Sequence, residues 1–193
     1  MMGSKPMDVG PIVISGPSGV GKGTLIQMLH DAHPGVFTKT VSHTTRQPRE
    51  GETEGDNYFY ISKAEFESLI SENAFVEYTY FSGNSYGTSK RTITDQMAKG
   101  LVVVLEIDIE GVKQMREATV IDARYVFVRP LSFEALETRL RKRSTESEES
   151  MERRLKQAKC ELEQADTPGL YDMVLVNEDI AVSYDKLEAF VWG

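Results

Sequence analysis

Residues 16–24 read GPSGVGKGT, directly after the β-branched run Ile12, Val13, Ile14 and directly before an apolar helical pattern at Leu25, Met28 and Leu29. A strand, a glycine turn and a helix start in immediate succession aim several backbone N–H groups and the positive end of a helix dipole at one point, where an anion sits. The spacing is GxxxxGK, with Lys22 supplying a mobile charge for β and γ phosphates and the glycines letting the backbone wrap closely around oxygens. Ser18, Gly19, Val20, Gly21, Lys22, Gly23 and Thr24 are therefore candidates for holding a nucleoside triphosphate. The position after Lys22, where a magnesium-binding Ser or Thr is usual, holds Gly23, with Thr24 one step later. The competing reading is a glycine-rich turn with a surface lysine.

The chain has 193 residues, 40% of them hydrophobic, which suits one domain with a packed core. Its net charge of −8 argues against a general nucleic-acid binder, so phosphate binding has to be local. Arg46 and Arg49 fall in one loop, and Arg139, Arg141, Arg143, Arg153 and Arg154 crowd a second region, a distribution that points to small anionic substrates. No apolar run approaches the ~20 residues of a membrane span, and the start, MMGSKP, reads as a short disordered segment without the hydrophobic stretch of a secretory signal. Cys160 is the only cysteine, which excludes an intramolecular disulfide and a multi-cysteine zinc site and fits a reducing cytoplasm. No membrane association and no obligate protein partner is expected.

Strand candidates at 12–15, 101–107, 125–128 and 173–176 alternate with helical patterns, the rhythm of a parallel sheet flanked by helices. Between Phe37 and Thr88 the texture turns aromatic and turn-rich, which predicts a small mixed or antiparallel β insertion. Within it Ser62 and Glu65 form a capping box for a helix to about Asn73. Ser132 caps a helix to about Arg143, and a long helix is predicted over 148–165, stopped by Pro168 and Gly169. The polar stretch 144–150 between them reads as a mobile tip.

The segment 41–60, VSHTTRQPREGETEGDNYFY, is broken by Pro48, Gly51 and Gly55 and reads as a loop. Two arginine forks with nearby tyrosine hydroxyls can hold a dianionic phosphate. A solvated loop whose arginines pair with Glu50, Glu52 and Glu54 accounts for the same residues.

The order GPSGVGK, SHTTRQPREGE, YFYIS, FVEYTYFSGNSYGT, LEIDIEGVK, the arginines around TESEES, and LVNED resembles the guanylate kinase family across almost the whole chain. The resemblance implies an α/β P-loop kinase with a central parallel sheet flanked by helices, a small β-rich GMP-binding insertion and a helical lid. Its parts would be a core at 9–36, 92–132 and 158–193, a GMP-binding region at 37–91 and a lid at 133–157. It implies that Arg46, Arg49, Tyr58 and Tyr86 hold the phosphate of GMP and that Ser42, Glu77 and Thr88 address its base. Glu106 and Asp108 would lie near the acceptor and the metal region, with Glu106 standing where the family has aspartate; either acid could instead cap a helix. Arg139, Arg143 and Arg154 would form the lid over the triphosphate, with Lys22 and Arg46 joining them in catalysis, and Asn177 would lie near the adenine.

The assignment of Glu77 makes chemical sense by itself. Guanine offers adjacent N1–H and N2–H donors that one carboxylate accepts together, whereas adenine presents a bare N1 lone pair there. Without the resemblance, Glu77 reads as the outward residue of an alternating strand. The implied reaction is ATP-dependent phosphorylation of GMP, and of dGMP, with Mg²⁺ held mainly by the nucleotide and water. Two other readings remain: a catalytically inactive guanylate-kinase-like module that binds phosphopeptides, and a kinase for another nucleoside monophosphate.

Overall fold

Ile12, Val13 and Ile14 expose none of their surface, because their strand is central in a parallel sheet and both faces of that sheet are packed. The computed structural model describes residues 9–81, 83–143 and 147–193; the expected disordered start, the first three residues (144–146) of the expected mobile tip and the Arg143 side chain lie outside the described residues. In chain order the elements are β1 (Ile12–Ser15), α1 (Lys22–Ala32), β2 (Phe37–Lys39), β3 (His43–Thr44), β4 (Phe59–Tyr60), α2 (Lys63–Ser71), β5 (Phe75–Phe81), β6 (Asn84–Ser89), α3 (Lys90–Ala98), β7 (Val102–Glu106), α4 (Ile109–Ala118), β8 (Arg124–Pro130), α5 (Phe133–Arg143), α6 (Glu148–Gln164), β9 (Met173–Asn177) and α7 (Ile180–Trp192).

The central sheet runs β2-β7-β1-β8-β9 with every pairing parallel. Side chains alternate across it, so each face builds its own core. Ile12, Ile14, Val104, Val126 and Val128 pack with Leu25 and Leu29 of α1, Leu136 and Leu140 of α5, Met151 and Ala158 of α6, and Leu187 and Val191 of α7. On the other face Val13, Val103, Leu105 and Tyr125 pack with Ile93 of α3 and Val112 and Met115 of α4. Each fully buried aliphatic side chain contributes about 1.5–3 kcal/mol. The four predicted strands are all present. Phe37–Lys39, which the sequence places at the start of the insertion, instead pairs with β7 as the edge of the central sheet. Only Phe37 of its three residues is buried, and so short a parallel pairing leaves no periodicity in the sequence.

The insertion folds as a second, mixed sheet of order β4-β3-β6-β5. The capping box of α2 has both of its halves, and Phe66 of that helix stacks on Phe75 with ring centroids 4.6 Å apart. Two contacts tie this sheet to the central one. Val76 of β5 enters the α3–α4 side of the core, and the Gln114 amide of α4 exchanges two hydrogen bonds of 2.9 Å with the backbone of Tyr78, closing the open edge of β5. α5 is capped as the sequence predicts, with Ser132 Oγ accepting from Ala135 N at 3.1 Å, and α6 starts behind Ser147. Among the described residues no helix is long and apolar enough to cross a membrane.

Candidate active site

The loop between β1 and α1 is shaped by what surrounds it. Gly16 has φ 139° and passes so close to β8 that a Cβ would sit 2.1 Å from Val128 O; Gly21 has φ 108°, with Asn177 Nδ2 2.5 Å from where its Cβ would be. Both positions accept only glycine, on backbone conformation and on space. Asn177 is 3% exposed and donates from Nδ2 to Val20 O at 2.8 Å. Its amide therefore supports the loop from beneath. Leu136 and Leu140 of α5 close over Gly19, where a Cβ would meet Leu140 Cδ2 at 2.7 Å.

Lys22 opens α1 and folds back over the loop, donating from Nζ to Gly16 O at 2.6 Å and Pro17 O at 3.2 Å. Glu106 Oε1 lies 3.7 Å from the same nitrogen. Burial lowers the Lys22 pKa, and the charges of Glu106 and Glu161 oppose that shift. Above the loop lies a cavity of about 740 Å³ whose walls include Ser18, Gly23 and Thr24 on one side and Tyr58, Glu106, Asp108 and Glu161 on the other. Asp108 also caps α4, with Oδ1 accepting from Gly111 N at 2.9 Å, so the capping role raised for it from the sequence is real; its second oxygen makes no hydrogen bond among the described residues.

Glu161 escapes the sequence reading. It is a buried carboxylate whose pKa is raised by desolvation. Its signal lies in spacing: with Met151 and Ala158 it completes the buried stripe of α6, where an acid needs a reason to be.

Of the residues assigned to the GMP phosphate, Arg46, Tyr58 and Tyr86 converge. Arg46 lies with its guanidinium carbon 5.5 Å from the Tyr58 ring centroid, and Tyr58 and Tyr86 meet edge to face at 5.9 Å. Arg46 forms a two-pronged pair with Glu52, at 2.9 and 3.0 Å, so the loop ion pair considered from the sequence exists for this residue. The Arg49 side chain is exposed, while its backbone N–H donates to Glu52 Oε2 at 2.8 Å. Tyr60 Oη donates to the same oxygen at 2.8 Å. Hydrogen bonds from Arg46 first and the Arg49 backbone second hold the Glu52 carboxyl at about 2. From the sequence Glu52 is one of three equivalent pairing partners for the loop arginines, because a glutamate among four acids in one loop carries no local signature, and Tyr60 is no candidate at all.

The residues assigned to the base also meet. Ser42 Oγ and Thr88 Oγ1 are 2.9 Å apart, and Thr88 stands directly opposite Glu77 in the β5–β6 register. A register shift between Phe75 and Glu77 breaks the strand alternation, so Phe75, Val76 and Glu77 are all buried in succession. Glu77 is thus no outward strand residue: it is 7% exposed and lies beneath α4, where a Cβ on Gly111 would come 3.3 Å from Oε2. Burial pushes its pKa up to about 7; hydrogen bonding to Thr88 opposes this, while the charge of Asp108 adds to it. A smaller cavity of about 180 Å³ is lined by Ser42, Asn57, Tyr58, Lys39 and Glu106. Tyr58 and Glu106 therefore belong to both cavities and form their common wall.

Of the arginines on the helical hairpin, Arg139 is partly buried on α5 and pairs with no carboxylate among the described residues. Arg141 bridges Glu137 and Glu148 at 2.8 Å each, linking α5 to α6. Arg153 pairs with Glu149 at 3.0 Å, and Arg154 is exposed on α6 with a partner of its own.

A family model described as guanylate kinase matches residues 8–193. The chain is 46% identical over 179 residues to the guanylate kinase of Schizosaccharomyces pombe, covering 93% of this chain and 88% of that one. It is 42% identical over 178 residues to human guanylate kinase, covering 92% and 90%. Guanylate kinase 1 of Oryza sativa subsp. japonica is 47% identical over 178 residues, but the match spans only 46% of the rice protein. Among solved structures, guanylate kinase from Anaplasma phagocytophilum is similar with a TM-score of 0.68 at 32% identity, over 97% of this chain and 87% of that one.

Proposed function

The chain belongs to the guanylate kinase family, enzymes that phosphorylate GMP on a P-loop kinase fold, and from that premise we propose that it transfers the γ-phosphoryl group of ATP to the phosphate of GMP or dGMP, giving ADP and GDP or dGDP. The observation that carries this reading is the common wall of the two cavities. Tyr58 and Glu106 border both the glycine-loop cavity and the smaller one beside Ser42, so donor and acceptor phosphates meet where the cavities join.

The acceptor oxygen is already anionic near neutral pH, and no general base is needed. Catalysis is positioning and charge neutralisation. Lys22 exchanges the Gly16 and Pro17 carbonyls for β and γ phosphate oxygens, and the loop N–H groups hold the rest. Arg46, held by Glu52 and flanked by Tyr58, faces the acceptor phosphate, with Arg139, Arg143 and Arg154 supplied from the helical hairpin. Glu77 takes the two guanine donors, a contact worth about 1–3 kcal/mol of discrimination against adenine.

The donors present fit a hydrated magnesium ion carried by the phosphates. No group of three His, Cys, Asp or Glu that could hold a metal ion exists among the described residues, while the Thr24 hydroxyl and the carboxylates of Glu106 and Asp108 border the phosphate cavity. When bound, Mg²⁺ offsets the charge on the phosphoryl group in transfer.

An assay of ADP release with ATP, Mg²⁺ and each nucleoside monophosphate in turn tests the reading. Selective turnover of GMP and dGMP is expected. Tight GMP binding without turnover would make the chain a binding module, and preferred turnover of AMP or dTMP would overturn the substrate assignment.

A further inference from the structure

Glu161 has 7% of its surface exposed, and that remainder faces the cavity above the glycine loop. Oε1 accepts from Gln157 Nε2 at 3.0 Å, while Oε2 makes no hydrogen bond among the described residues. Burying a carboxylate costs several kcal/mol unless cations or donors meet it. Two charges bear on it from other elements: Lys22, on the loop side, and Asp108, at the start of α4. Lys22 is shared with Glu106 and with two loop carbonyls.

Entry of a triphosphate upsets that balance. Lys22 turns to the phosphates, and Glu106, Asp108 and Glu161 then share one cavity with a polyanion. Like charges at such range repel unless a cation stands between them. Mg²⁺ is the cation that the reaction itself brings, and it keeps several of its waters when bound. The water shell needs acceptors in fixed places. The Glu106 side chain is 48% exposed, and one oxygen of Asp108 is committed to capping α4. Glu161 alone of the three is held in place by a packed helix face.

Resting on the reading of this cavity as the ATP site, we propose that Glu161 is a positioning residue for the metal–nucleotide complex, its carboxylate accepting hydrogen bonds from the water shell of ATP-bound Mg²⁺. Outer-shell carboxylates of this kind orient what they touch, and their loss typically costs 10–100-fold in metal affinity or activity. Arg154 precedes Glu161 by two turns of α6, so one helix carries both a cation for phosphate and an anion for the hydrated metal.

The test is E161Q, which keeps the shape and an oxygen for Gln157 but removes the charge. Calorimetric titration with ATP is run once with Mg²⁺ and once with EDTA, and the electron paramagnetic spectrum of protein-bound Mn²⁺–ATP is recorded. The expected result is about a tenfold loss of affinity for Mg²⁺–ATP, unchanged or tighter binding of metal-free ATP, and an altered Mn²⁺ spectrum. Equal losses for both forms of ATP, or an unchanged Mg²⁺–ATP affinity, overturn the proposal. If E161Q does not fold, E161D retains the charge but draws it back by one methylene and is expected to show the same metal-selective loss; a loss without metal selectivity again overturns it. Failure of the unmodified protein to bind ATP, with or without metal, would instead overturn the ATP reading of the cavity.

Discussion

Arg46 and Glu52 face each other as a two-pronged ion pair, Nη1 to Oε2 at 2.9 Å and Nη2 to Oε1 at 3.0 Å. The same carboxylate accepts from the Arg49 backbone and from Tyr60 Oη. In the proposed reading the cradle for the GMP phosphate is organised around an anion, which pre-orients the arginine fork before the substrate arrives. E52Q is expected to raise the KM for GMP about tenfold or more while changing kcat less, because the arginine is misplaced and not removed. Steady-state kinetics with GMP varied at saturating ATP measures the split; a fall in kcat at constant KM would count against this role. The Glu52 pKa is lowered from 4.5 to about 2. Its contribution to loop order is therefore full above pH 4.5 and is lost as pH falls toward 2.

Glu77 carries the opposite shift, from 4.5 up to about 7. Guanine donors require its charged form, so GMP binding pulls the proton off. GMP affinity is expected to rise with pH until about 7 and level off above it, with proton release near pH 6 visible as a buffer-dependent enthalpy of binding. The same shift acts on folding with the other sign. The neutral form is favoured in the folded protein, so its stabilising effect is full below pH 4.5 and is lost as pH rises through about 7. E77Q should then be no less stable than the unmodified protein at pH 8 by thermal melting. Its discrimination between GMP and AMP should shrink by about 1–3 kcal/mol; undiminished preference for GMP would refute the base contact.

The sequence exposes features whose physics is local and hides those that depend on distant neighbours. The glycine loop, the Ser62–Glu65 capping box and the Ser132 cap are all written in adjacent residues, and each appears as predicted. Glu77 is a candidate from the sequence through the chemistry of guanine, while its burial comes from a bulge with no signature in the sequence. Glu52 is surrounded in sequence by other acids, and only the fold distinguishes the one under Arg46; Glu161 leaves no more than a helical spacing, and only the fold sets it on the cavity that Lys22 lines. The placement of β2 in the central sheet and the loop contact of Asn177 are hidden for a related reason. Their partners, Val102–Val104 for β2 and Val20 for Asn177, are far away along the chain.

In the proposed reading Lys22 serves the ATP site and not the GMP site. Among the described residues its nitrogen bonds to two loop carbonyls and approaches Glu106, with no hydrogen bond or ion pair to Glu77, Arg46 or Ser42. Lys22→Ala is expected to abolish turnover, because the β and γ phosphates lose their mobile charge, while the dissociation constant for GMP changes less than about threefold. Fluorescence or calorimetric titration with GMP alone checks this. Loss of GMP binding together with activity would show that the two sites are not separate.

Asn177 offers the sharpest contrast between a contact with substrate and support of the loop. Its Nδ2 satisfies the Val20 carbonyl in a buried position, and leaving such a carbonyl unmet costs about 1–3 kcal/mol. Asn177→Ala should lower the melting temperature and weaken ATP binding, because the Gly19–Gly21 backbone loses its anchor. GMP affinity should hold. Asn177→Asp should be worse than Asn177→Ala, since it sets a carboxylate oxygen against the Val20 oxygen in place of a donor. If Asn177 served the adenine instead, substitution would alter the preference for ATP over GTP and leave the melting temperature unchanged. Thermal melting of both variants, together with ATP and GTP titrations, decides between the two roles.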